Sequence, residues 1–86
     1  MKFELSAHVK KEIERRGIPL DIMETVLAKP DQKVTEHGSV MCFQSKIEIN
    51  KKLYLLRVMV NETVTPFKVI TAYRTSKINK YWSATT

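Results

Sequence analysis

Arg57 is the residue whose chemistry stands out first. It interrupts Leu53–Val60, a run that is otherwise apolar on both faces. Period-two alternation sets Tyr54, Leu56, Val58 and Val60 on one face and Leu53, Leu55, Arg57 and Met59 on the other. If helices cover the first face, Arg57 stands on an open one. There it either pairs with Glu48 of the neighbouring strand, reaches to the rim, or presents its planar fork to a phosphate. On this placement, Arg57→Ala is expected to abolish any phosphate chemistry while leaving the fold intact.

A second group lies near the C-terminus. Residues 73–82 read Tyr-Arg-Thr-Ser-Lys-Ile-Asn-Lys-Tyr-Trp, three cations and three aromatics among small polar residues. Cations contact phosphates and aromatic rings stack on splayed bases, so Tyr73, Arg74, Lys77, Lys80 and Tyr81 suit a nucleic-acid strand. The same residues also suit a plain terminal helix in which Ile78, Tyr81 and Trp82 dock on the sheet. A third group, His8, Glu12 and Arg15 or Arg16, shares one side of an N-terminal helix, either as a solvated ion-paired flank or as part of a site. The two histidines are far apart, there is one cysteine, Cys42, and no HExxH, CxxC or Gly-rich phosphate loop occurs. No metal or cofactor is therefore expected, and Cys42 reads as a small packed residue.

These residues need elements to position them. Residues 6–17 predict a helix with Ser6 as N-cap, a stripe of Leu5, Val9 and Ile13 and Gly17 as left-handed terminator. Residues 19–28 predict a second helix, with Pro19 in its first turn, an apolar face of Ile22, Met23, Val26 and Leu27, and Pro30 as its stop. Period two then takes over. Residues 32–37 read as a polar edge strand and 40–49 as an alternating strand. Asn50-Lys51 reads as a tight turn, 53–60 as a central strand, and 64–75 as a last strand with Pro66 at an edge or bulge. The tail is short and helical or irregular. The fold class is α+β, a single domain over 1–86: two N-terminal helices on one face of a four-stranded antiparallel meander, with a short C-terminal helical tail.

Composition sets the class of partner. Apolar residues are 43% and charged residues 28% of 86, ordinary for a globular domain. The net charge of +6 is unevenly divided. Residues 1–38 hold seven basic and seven acidic groups, while 39–86 hold eight basic groups against Glu48 and Glu62. Such a field favours a polyanion or an acidic protein segment, although excess lysine also serves solubility. No apolar run reaches membrane-span length and residues 1–16 lack a signal-peptide core, so a cytoplasmic location without membrane association is expected.

Ser6-Ala7-His8-Val9 through Arg16-Gly17-Ile18, then Val26-Leu27-Ala28-Lys29-Pro30, then Val69-Ile70-Thr71-Ala72-Tyr73-Arg74 resemble a family of short bacterial proteins with S-x-H-A…R-G-I, V-L-x-x-P and V-I-T-x-Y motifs. The layout is similar to BrnT toxins and, more distantly, to the RelE/ParE superfamily. The resemblance implies a type II toxin–antitoxin toxin, a ribonuclease that cleaves mRNA without a metal, on or off the ribosome, and is restrained by a cognate antitoxin encoded nearby. By this resemblance Arg57, Arg74, Tyr81 and His8 are the catalytic candidates, and Lys77, Lys80, Arg16 and Tyr73 the RNA-binding ones. Glu12 departs from the pattern, since many members carry a second Arg there. The alternatives are a non-catalytic basic module that binds nucleic acid or an acidic segment, and a gyrase-inhibiting toxin of the ParE kind. Arg57 and Arg74 should face the same side of the sheet, and the face bearing Leu53, Leu55 and Met59 should lie open for a partner.

Overall fold

The computed structural model describes residues 3–84. Its elements run β1 (Phe3–Glu4), α1 (Ala7–Arg15), α2 (Leu20–Ala28), β2 (Gln32–His37), β3 (Val40–Ile49), β4 (Lys52–Asn61), β5 (Phe67–Thr75) and α3 (Ile78–Tyr81). The sheet has five strands in the order β1-β5-β4-β3-β2. β2 to β5 form the expected antiparallel meander. β1 adds a fifth strand, parallel to β5 through Phe3↔Phe67 and Glu4↔Lys68, so the sheet is mixed. A two-residue strand has no periodicity to read. What holds it is Phe3, whose ring meets Phe43 and Phe67 edge-on at 5.9 and 5.8 Å. Among the described residues no helix is long and apolar enough to cross a membrane.

Local chemistry shapes the helices. The Ser6 hydroxyl accepts from the Val9 N–H at 3.1 Å, closing the first turn of α1. At the other end Ile18 N donates to Ile13 O at 2.8 Å and Gly17 N to Glu14 O at 3.1 Å. With Gly17 at φ +68°, these two bonds make a Schellman ending, and the accompanying apolar contact is between Ile13 and Ile18, both buried. A Cβ on Gly17 would lie 2.9 Å from an Arg74 guanidinium nitrogen. Gly17→Ala should therefore cost about 1–2 kcal/mol, from the left-handed conformation and the displaced arginine. A denaturant melt of this variant checks that. Pro19 precedes α2 as its N-cap rather than occupying its first turn.

Turn chemistry sets the β3–β4 hairpin. Ile49 pairs with Lys52, and the two residues between, Asn50 and Lys51, both have positive φ, 52° and 65°. This is the conformation two-residue hairpin turns require. β5 begins at Phe67, after the loop containing Pro66, rather than at residue 64. It carries a register shift opposite Met59 and Val60, which pair with Thr71 and Val69 and leave Ile70 as the extra residue of a bulge. Both helices pack on one face. Val9, Ile13, Ile18, Met23, Val26 and Leu27 meet Phe43, Leu56, Val58, Val60, Val69 and Ala72 in one apolar cluster. Each fully buried aliphatic there contributes about 1.5–3 kcal/mol.

The face opposite the helices is not open. Leu55 is fully buried and Met59 is 7% exposed, leaving only Leu53 of the expected apolar patch in solvent. The C-terminal segment provides the cover. The Gln44 amide donates to Tyr81 O at 3.2 Å, and Lys46 Nζ, on the residue paired with Leu55, lies 4.2 Å from the Trp82 ring centroid. The tail aromatics dock on the sheet, so the face expected to await a partner is occupied by the chain's own end.

Candidate functional site

Pairing register assembles a polar row across four strands on the tail-covered face. Gln32 pairs with Gln44, Gln44 with Arg57, and Arg57 with Tyr73. Directly paired residues project to the same side. Arg57, 5% exposed, is the centre of the row. Its Nε donates to Gln44 Oε1 at 2.9 Å, one terminal nitrogen to the Tyr73 hydroxyl at 2.6 Å and the other to Glu36 Oε1 at 3.2 Å. The Tyr81 ring lies over the guanidinium, 4.5 Å from its centroid, and meets Tyr73 edge-on. The partner carboxylate is thus Glu36 on the edge strand, not Glu48. Burial acts to lower the Arg57 pKa, but the Tyr73 hydroxyl and the nearby Glu36 outweigh it and hold the cation. Burial also raises the Tyr73 pKa against the opposing influence of Arg57, so Tyr73 remains a neutral phenol at neutral pH.

The row extends to Gln32, whose Oε1 accepts from the Gln44 amide at 2.7 Å and from Ser83 N at 3.1 Å, while its own amide donates to Ser83 O at 2.7 Å. Cys42 lies beside it, its Sγ 3.8 Å from Gln44 Oε1, and burial pushes its thiol up to about 11. Cys42 should resist alkylation at pH 8 in the folded protein and react only on unfolding, which mass spectrometry with and without denaturant would show.

The helix side holds a separate group. Arg16 donates to Ala72 O at 2.7 Å and to the Thr71 hydroxyl at 3.3 Å, and lies 3.5 Å from Glu12. The Thr71 hydroxyl donates to Glu12 at 3.0 Å, and His8 and Arg15 approach the other carboxylate oxygen. The Thr71 hydrogen bond, aided by Arg16, His8 and Arg15, lowers the Glu12 pKa against a smaller opposing effect of burial. Arg74 donates to Arg16 O at 3.1 Å and stacks 4.5 Å over Tyr54.

The eight candidate residues therefore divide. Arg57 and Tyr73 meet Tyr81 of the tail, with Lys80 Nζ 5.3 Å from the Tyr81 ring and Lys77 exposed at the start of the tail. His8, Arg16 and Arg74 gather on the helix side. Arg57 and Arg74 lie on opposite faces, against the expectation that they share one, because Arg57 pairs with Tyr73 and Leu56 with Arg74. The two guanidinium groups therefore do not converge on one phosphate. Gln32, Gln44 and Glu36 were absent from the expected set. Alternation along β3 does put Gln44 on the face assigned to Arg57, but linking Gln32 and Glu36 to it requires the β2–β3 register.

The exposed positive charge converges elsewhere, at one end of the sheet. The β3–β4 turn, the α1–α2 connection and the end of β5 meet there: Gly17 and Pro19 share a hollow with Ile49 and Asn50, and Gly17 abuts Arg74. Arg15, Arg16, Lys51 and Lys52 are exposed at this end, with Lys77 and Lys80 exposed just beyond β5. Lys51, Lys52, Lys77 and Lys80 make no ion pair among the described residues. Tyr54, flanked by Arg74 and Lys52, is the half-buried aromatic of this end. No family model, curated protein or solved structure matches the chain.

Proposed function

We propose that this protein binds single-stranded nucleic acid, RNA in the first instance, by its phosphate backbone at the basic end of the sheet. The observation that carries this is the gathering of exposed Lys51, Lys52 and Lys77, which make no ion pair among the described residues, with Arg15, Arg16 and Arg74 at one end of the sheet, Lys80 following on the tail beside Tyr81, in a chain whose net charge is +6. Cations beside Tyr54 suit a strand whose backbone is tracked and whose bases stack. Binding to an unstructured oligoribonucleotide should weaken steeply with salt. Neutralising about four to six phosphates would give a slope of about −3 to −4 in log K against log salt. A salt-independent affinity, or none at low salt, refutes the reading.

A second reading, a metal-independent ribonuclease of toxin type with a cognate antitoxin, draws support from the grouping of Arg57, Glu36, Tyr73 and Tyr81. A cation, a carboxylate and two phenols are group types able to stabilise a phosphorane and move protons. Attack of a ribose 2′-OH on the adjacent phosphorus would leave a 2′,3′-cyclic phosphate and a 5′-OH. Chelator-resistant cleavage with those ends, and copurification with the product of a neighbouring gene, are its signatures. Binding without cleavage, on or off ribosomes, leaves the binding function alone.

A further inference from the structure

The tail segment 77–83 and the row beneath it are mismatched in a telling way. Beneath lie groups that are almost wholly buried: Gln32, Gln44 and Arg57, at 4%, 0% and 5% exposure. Above lies a one-turn helix with no side-chain N-cap bond and no buried residue. Tyr81, Trp82 and Ser83 are each only half-buried. A permanent cover normally seals an apolar surface, because stored polar groups gain little from burial. Here a cover held by two stacked rings and three main-chain bonds seals, beside Leu55 and Met59, a charged fork with its Glu36 partner, a phenol and two amides. The amides hold the tail by its main chain, at Tyr81 O, Ser83 N and Ser83 O. Water or a polar ligand can replace such bonds with little enthalpic loss.

We propose that residues 77–83 form a strap that lifts locally, and that the Arg57 row beneath it is a gated phosphate site. When the strap is raised, Arg57 loses the Tyr81 ring above its plane and the Gln44 amide loses Tyr81 O; a phosphodiester then takes the place of the Glu36 carboxylate on the fork, with Glu36, a third exposed, turning out to solvent. Lys77 and Lys80 travel with the strap, so one strand would bind at the basic end and under the strap together. The phosphate chemistry rests on the nucleic-acid reading above; the lifting of the strap does not.

Trp82, the single tryptophan, reports on the strap in the full-length protein. Without ligand, hydrogen exchange should show the amides of 81–83 opening far faster than those of β4, through local rather than global unfolding. Exchange of the strap only with global unfolding overturns the proposal whatever RNA does. On saturation with a short unstructured oligoribonucleotide, acrylamide quenching of Trp82 should rise several-fold. RNA bound with Trp82 still shielded overturns the gate while leaving the basic-end site standing. Gln32→Ala, which removes both Gln32 bonds to Ser83, should tighten binding by about tenfold if the closed strap leaves roughly a tenth of molecules competent. Inorganic pyrophosphate serves as a strand-free probe. If it perturbs Trp82 although RNA does not bind, the phosphate site stands and the nucleic-acid reading falls. If neither binds, the phosphate site is overturned.

Discussion

Arg57→Ala should unfold this domain well before the wild type, with a melting temperature lower by about 10–30 °C. The substitution leaves Gln44 Oε1 and the Tyr73 hydroxyl without the donor that holds them at 2.9 and 2.6 Å, and opens a void beneath Tyr81. Each buried polar group left unpaired costs about 1–3 kcal/mol. The Glu36 carboxylate adds less, because a third of its side chain is in solvent. A total of about 2–4 kcal/mol follows, and a domain of this size loses about 4–8 °C per kcal/mol. Arg57→Lys should recover only part, since one ammonium cannot serve three partners in a plane. Arg74→Ala, half-exposed and bonded to one carbonyl, should cost under about 1 kcal/mol. The expectation from sequence that its removal leaves the fold untouched rested on an exposed side chain, whereas Arg57 is buried and bonded to three partners. An unchanged melting temperature for Arg57→Ala would show that the row is not a stability element. Loss of RNA binding by this variant counts as functional only at temperatures where circular dichroism shows it folded.

Reversing Lys51, Lys52, Lys77 and Lys80 to Glu should lower RNA affinity by at least about a hundredfold near physiological salt, with the salt slope shallower by about 0.7 for each phosphate no longer neutralised. The fold should hold, because these side chains are exposed and make no ion pair among the described residues. Net charge alone would also reduce affinity, so location must be separated from total charge. Lys10, Lys11, Lys29 and Lys68 are equally exposed but lie on α1, beyond α2 and at the start of β5. Reversing these four changes the net charge equally and should reduce affinity far less. Equal losses from the two sets would leave only a diffuse electrostatic attraction and would remove the basic end as a site. Filter binding or anisotropy over a salt series decides between them.

What could be read from the residues alone was what neighbouring residues decide among themselves. The Ser6 cap, the Gly17 ending, the Asn50-Lys51 turn and the alternation of β3 and β4 depend on interactions within a few positions, so their signals are local and the structure carries them. The apolar face of β4 likewise meets the helices, since Leu56, Val58 and Val60 had no other place to be buried. β1 escaped notice because two residues carry no period and its partner lies more than sixty positions away. The face of each arginine escaped for a different reason. A one-residue change of register turns every side chain over, and β5 contains such a change: with Ile70 bulged, Val69 and Ala72 both enter the core. No uniform alternation reproduces that. Arg74 is thereby carried to the helix side and Tyr73 to Arg57. The cover over Arg57 was decided last, by a tail whose docking bonds reach Gln32 and Gln44 across the whole sheet. Those bonds depend on which strands lie side by side, a property of the assembled sheet and of no single segment in it.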